Sequence, residues 1–198
     1  MNRLTHALAN SPFMFHWLRK LPEANYRATK SRLAALRDSI APERVIDLGC
    51  GTGEFASLFD PRGYLGVDVH PGYERFAARA HPRHRFVCAD ALTWSNDGWP
   101  FDLALMNGVL HHHDDGSARS FLLAALRQVR PGGWLVVIED THLARRPLAA
   151  LIHALDEGAF VRTPEAWMKL VGACATIEHN ETYVSGVCPY HLMVARKP

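Results

Sequence analysis

Val45-Ile46-Asp47-Leu48-Gly49-Cys50-Gly51-Thr52-Gly53 joins a short apolar run to a turn with glycine at every second position. Val45–Leu48 reads as a buried strand, and helical composition follows from about Glu54 to Phe59. Glycines at 49, 51 and 53 permit positive φ and let a ligand come close to the backbone. In an open α/β sheet that ligand lies beyond the carboxyl ends of the strands. No Lys-Ser/Thr pair follows, which disfavours a triphosphate-binding P-loop, and the spacing departs from GxGxxG, which weakens a dinucleotide reading.

Outward from this turn, apolar runs recur at Tyr64–Val69, Arg85–Cys88, Phe101–Met106 and Trp134–Glu139. Between them lie helical stretches at Tyr73–Ala80 and Asp115–Val129. Further helices are expected at Arg146–Asp156 and Pro164–Val171, and two strand-like pieces, broken near Gly186 and Pro189, fill Ala175–Arg196. The central strands are nearly continuous apolar runs, as in a parallel sheet covered on both faces. This alternation predicts a doubly wound α/β fold. The closely spaced last pair predicts an antiparallel edge.

Two carboxylates mark the next strand ends. Asp68 stands twenty-one residues beyond Asp47, where it can accept hydrogen bonds from ribose hydroxyls. Asp90 ends the third strand, where it can take a hydrogen bond from an exocyclic amine of adenine. The plain structural alternatives are a turn aspartate and a helix N-cap. Together with the glycine turn, these residues resemble the class I S-adenosylmethionine-dependent methyltransferases. Asp47–Gly53 looks like their first motif, Gly66-Val67-Asp68 the ribose-binding motif and Cys88-Ala89-Asp90-Ala91 the adenine motif. Phe101–Ala104 through Gly108–His112 and Leu126–Val136 look like their fourth-strand and late helix–turn–strand motifs. The resemblance covers about residues 43–139.

It implies a Rossmann-like seven-stranded sheet, mostly parallel with an antiparallel C-terminal strand. It also implies S-adenosylmethionine lying across the first three strand ends. The cofactor residues it suggests are Asp47, Gly49, Gly51, Gly53, Asp68, Val69, Asp90 and Ala91, with Asn107 and Val109 near the methionine end. Residues 1–42 would form an N-terminal helical cap on the catalytic domain of residues 43–198.

His111-His112-His113-Asp114-Asp115 invites a metal reading, but adjacent side chains on an extended segment diverge and no HExxH helix is present. No metal is expected. The resemblance puts this stretch beside the methyl-transfer cleft. His112, and after it His113, is then the candidate general base, and Glu139 is a further cleft carboxylate that could orient or deprotonate an acceptor. The alternative is that the histidines pack or hold the turn while Asp114 or Asp115 caps the next helix.

The chain has 198 residues and net charge +2, too little to grip nucleic acid by charge alone. Residues 1–44 carry net +5 and the remainder −3, so any anion-facing surface would lie early in the chain. The four cysteines form no CxxC pair and are expected to be free thiols of a reducing, cytoplasmic setting. No apolar run reaches the roughly 18 residues of a membrane span, and no signal peptide is expected. The acceptor is expected to be a small organic molecule. Alternatives are methylation of RNA or protein, or a non-catalytic S-adenosylmethionine-binding role. No Asn/Asp-Pro-Pro-Tyr/Phe stretch follows the fourth strand, and no separate RNA-binding module is seen. The sequence leaves the oligomeric state open.

Overall fold

A computed structural model describes residues 23–96, 98, 100–142 and 160–198. Residues 1–22, and with them about half of the proposed cap, lie outside the described residues. So does the helix expected at Arg146–Asp156.

The described chain begins with a 3-10 turn, Ala24–Tyr26, and a helix α1, Arg27–Ile40. Then come β1 (Val45–Leu48), β2 (Tyr64–Asp68), α2 (Pro71–Ala80), β3 (Arg85–Cys88) and β4 (Phe101–Asn107). A 3-10 turn, Leu110–His112, leads to α3 (Asp115–Gln128), followed by β5 (Val129–Asp140), α4 (Pro164–Gly172), β6 (Thr176–Ser185) and β7 (Cys188–Arg196). The seven strands form one sheet in the order β3-β2-β1-β4-β5-β7-β6. β1 pairs in parallel with β2 and β4, β2 with β3, and β4 with β5. β7 runs antiparallel to both β5 and β6. The antiparallel strand is therefore the last in the chain, as expected, but it lies inside the sheet between two others.

Apolar residues cover both faces, which is why the central strands read as unbroken apolar runs. One face packs Leu122, Ala125 and Leu126 of α3 and Trp167 and Val171 of α4 against Ile46, Leu48, Val137 and Met193. The other packs Leu33 of α1 with Phe55 and Phe59 against Val45, Leu103, Ile138 and Leu192. Helix starts follow local chemistry. Asp114 caps α3 by accepting from Ser117 N at 2.8 Å, and Thr163 caps α4 ahead of Pro164.

Three local expectations change. The helix expected at 54–59 is a single 3-10 turn, Ala56–Leu58, because Phe55, Ala56 and Phe59 are all drawn into the core. Pro131-Gly132-Gly133 is a bulge within β5, between the pairs Phe101–Val129 and Leu103–Trp134, with Gly132 at φ 67°. Pro189 does not break β7. It is the second residue of the strand, opposite Val184, where a missing N–H is tolerated.

Candidate active site

The carboxyl ends of β1, β2 and β4 meet where strand order turns from β1 toward β4, the position at which open α/β sheets hold ligands. β1 delivers the glycine turn there. Gly49, Gly51 and Gly53 take φ of 74°, 52° and 75°, so the left-handed turn depends on them. Two of them do different jobs. A Cβ on Gly49 would run into Val109 Cγ2, which closes the turn against the loop after β4, whereas a Cβ on Gly51 would meet no atom within 4 Å and point into open space.

Asp68 ends β2 and binds the turn directly: Gly51 N donates to its Oδ2 at 2.8 Å and His70 N to its Oδ1 at 2.8 Å. Next to it Val69 is 71% exposed, an apolar side chain at a strand end with nothing packed over it. Asp90 is exposed beyond β3 and accepts from Leu92 N at 2.9 Å, which makes an Asx turn and caps no helix, and Ala91 beside it is half-buried. Asp47 is turned inward. It is 2% exposed, Tyr64 Oη donates to its Oδ2 at 2.7 Å, and burial raises its carboxyl to about 7.

At the end of β4, Asn107 Oδ1 is buried with no hydrogen-bond partner. A lone buried amide oxygen of this kind needs an explanation, and a ligand supplies one.

The three histidines diverge. His111 is buried and its Nδ1 lies 2.8 Å from Glu139 Oε2. His112 is exposed, its ring centroid 4.1 Å from that of His111. His113 is half-buried and stacks on Phe121 at 4.5 Å, and burial lowers its pKa, which favours the neutral ring. Glu139, expected to face the acceptor, is 0% exposed. Its carboxylate accepts from the backbone N–H groups of Val109 and Leu110 at 3.0 and 2.7 Å and of His111 at 3.3 Å. Every one of these bonds is spent on the loop after β4, a use of Glu139 that sequence reasoning missed. It also missed Arg162, whose place in Val161-Arg162-Thr163-Pro164 carries no motif.

A family profile described as a methyltransferase domain matches residues 15–172. The chain belongs to this methyltransferase-domain family. It is 36% identical to the trans-aconitate 2-methyltransferase of Methylobacterium radiotolerans, over 56% of this chain and 45% of that one. It is 38% identical to the enzyme of the same description from Methylobacterium nodulans, over 78% of this chain and 66% of that one. The chain thus spans about half to two thirds of the length of these relatives. A solved structure of the N-methyltransferase NodS from Bradyrhizobium japonicum WM9, in complex with S-adenosyl-L-homocysteine, superposes with a TM-score of 0.75 at 19% identity, covering 98% of this chain and 97% of that one. That likeness establishes the shared fold.

The crevice of this methyltransferase-domain chain has features that suit S-adenosylmethionine. Gly51 offers open backbone, Asp68 a carboxylate at the second strand end, Val69 an uncovered apolar surface and Asn107 an unsatisfied acceptor.

Proposed function

We propose that the protein transfers a methyl group from S-adenosylmethionine to a small organic acceptor at the carboxyl edge of β4 and β5. The unsatisfied Asn107 oxygen beside the glycine turn carries the reading, because it is a buried polar group in want of a ligand at the point the fold reserves for one. Asp68 would hold the ribose hydroxyls, and Val69 and Ala91 would flank the adenine, with Asp90 at its amine. Gly49, Gly51 and Gly53 would admit the methionine portion, and Asn107 and Val109 would border the sulfonium. Asp47 would stiffen the turn from below.

The cofactor supplies an already electrophilic methyl, so the protein works mainly by alignment and exclusion of water. His112 is the candidate base for an acceptor that must lose a proton, with His113, neutral but stacked on Phe121, the second choice. Glu139 has no oxygen left exposed for that task and acts on the loop instead. A carboxylate acceptor, such as the trans-aconitate named for the two relatives, is ionised at neutral pH and needs no base. No described helix is long and apolar enough to cross a membrane, and the four thiols are free, which supports a cytoplasmic setting.

Calorimetry with S-adenosylmethionine, S-adenosylhomocysteine, NAD and ATP tests the cofactor. Saturable binding of the first two alone is expected, and binding of NAD or ATP alone overturns the reading. Methyl transfer from tritiated cofactor to trans-aconitate, to small amines and phenols and to bulk RNA tests the acceptor class. Label appearing only in RNA, with binding that falls steeply as salt rises, would replace the small-molecule reading. With an amine or phenol acceptor, His112→Ala should lower turnover by about 10²–10⁴ and leave cofactor affinity unchanged. With a carboxylate acceptor it should not.

A further inference from the structure

The 3-10 turn Leu110–His112, one turn long, is held at both ends by charges from other elements. At its start the Glu139 carboxylate of β5 accepts from Val109 N, Leu110 N and His111 N and pairs with His111 Nδ1. At its end the Arg162 guanidinium donates through one nitrogen to Leu110 O at 3.3 Å and through the other to His113 O at 2.8 Å. Phe160 N completes the set by donating to His111 O at 2.9 Å. A negative group on the free N–H groups and a positive group on the free carbonyls is the favourable polarity for any helical turn.

Both clamping groups are themselves fixed. Glu139 sits in the middle of the sheet, in register with His191 of β7. Arg162 Nε donates to Asp115 Oδ1 at 2.8 Å, its guanidinium lies 4.6 Å over the Trp167 ring, and its own carbonyl accepts from Thr141 Oγ1 at 2.9 Å. Trp167 Nε1 in turn donates to Asp140 O at 3.0 Å. A turn this short would not hold one geometry on its own.

We infer that Glu139 and Arg162 are positioning residues that clamp the Leu110–His112 turn from its two ends and so fix the acceptor-side wall and the direction of His112. The inference rests on the methyltransferase reading for its functional consequence, though not for the clamp itself. Glu139 needs its charge because it serves three N–H groups at once. Arg162 needs its fork because it serves three carbonyls from different residues, those of Leu110 and His113 in the clamp and of Phe160 beside it, which an ammonium cannot match.

The test uses the full chain with Glu139→Gln, Arg162→Lys and Arg162→Gln. In each variant the amides of residues 109–113 should exchange with deuterium about tenfold faster or more, while β1, β2 and β4 keep their protection. S-Adenosylhomocysteine affinity should stay within about threefold of the unsubstituted chain, and kcat for trans-aconitate, or whichever acceptor is found, should fall far more than KM changes. Arg162→Lys should fail to rescue what Arg162→Gln loses. Unchanged exchange at 109–113 overturns the clamp, as does loss of protection through the whole sheet or a lysine variant equal to the unsubstituted chain. Exchange needs no acceptor and no cofactor. If the unsubstituted chain binds no S-adenosylhomocysteine, the functional reading falls while exchange still decides the clamp.

Discussion

Asp47 is a buried carboxyl that burdens the fold as it ionises. Desolvation is the largest cause of its raised carboxyl, ahead of the lowering by the Tyr64 hydrogen bond and the raising by nearby Asp68. The folded chain keeps the proton up to about pH 7, whereas the unfolded chain releases it near its ordinary value of 3.8. Between those values the folded state binds more protons, so this group's contribution to stability declines as pH rises toward 7 and is level above it. Asp47→Asn cannot titrate but still offers an oxygen to Tyr64. The free-energy difference between variant and unsubstituted chain, from urea unfolding across pH 4 to 8, should shift in favour of the asparagine up to about pH 7 and then level, by an amount on the order of a few kcal/mol. Asp68 gives a second prediction. Asp68→Ala frees Gly51 N and His70 N as well as any ribose contact, so S-adenosylhomocysteine should bind about ten- to a hundredfold more weakly by calorimetry.

Among the elements, α1 begins under strain. Ala24, Asn25 and Tyr26 all have positive φ, at 48°, 57° and 57°, which is costly for residues with a Cβ. What holds them is the anchoring on either side. Tyr190 Oη and Ser185 Oγ both bond buried Glu23, and Thr29 bonds Tyr183 Oη at 2.8 Å. Three of the four basic residues of α1 are paired as well, Lys30 with Glu54, Arg32 with Glu181 while lying 4.0 Å over Tyr183, and Arg37 with Asp38. These three side chains are therefore engaged within the fold rather than offered to an anion. Ala24→Gly removes the Cβ penalty and adds chain entropy to the unfolded state, for a net gain of about 0.5–1 kcal/mol. The melting temperature should rise by about 1–3 °C, read by calorimetry.

How far the elements were legible follows from the same physics. β1 begins and ends where its apolar run does, because a covered parallel strand has no second pattern to confuse it. The start of β5 was hidden because Pro131-Gly132-Gly133 carries turn chemistry whether it makes a turn or a bulge. Adjacent histidines had to diverge, but only the arrival of β5 beside β4 decides that His111 is the buried one. Arg162 was illegible: a forked contact to two distant carbonyls leaves no periodicity in sequence.

At the scale of the molecule, seat order matters as much as contacts. β7 is last in the chain yet sits sixth in the sheet, flanked by β5 and β6. Its pairing with β6 is local, across the two-residue connection Gly186-Val187 with Gly186 at φ 60°. A hairpin of this kind closes in about microseconds, while bringing it to β5 means ordering a longer stretch of chain. Folding would then finish with a preformed ribbon arriving at an open strand edge, and Asp140, Thr141 and Glu23 would meet their partners on that ribbon only at the end. Gly186→Ala penalises the turn and so the ribbon, and refolding after urea dilution should slow about threefold or more if the ribbon is needed early. An effect confined to the unfolding limb would mean that the turn forms after the rate-limiting step. Until the ribbon docks, β5 presents unpaired backbone along the edge later taken by β7, a surface to which another chain can add. Crowded, slow refolding should therefore favour intermolecular pairing at this edge of β5.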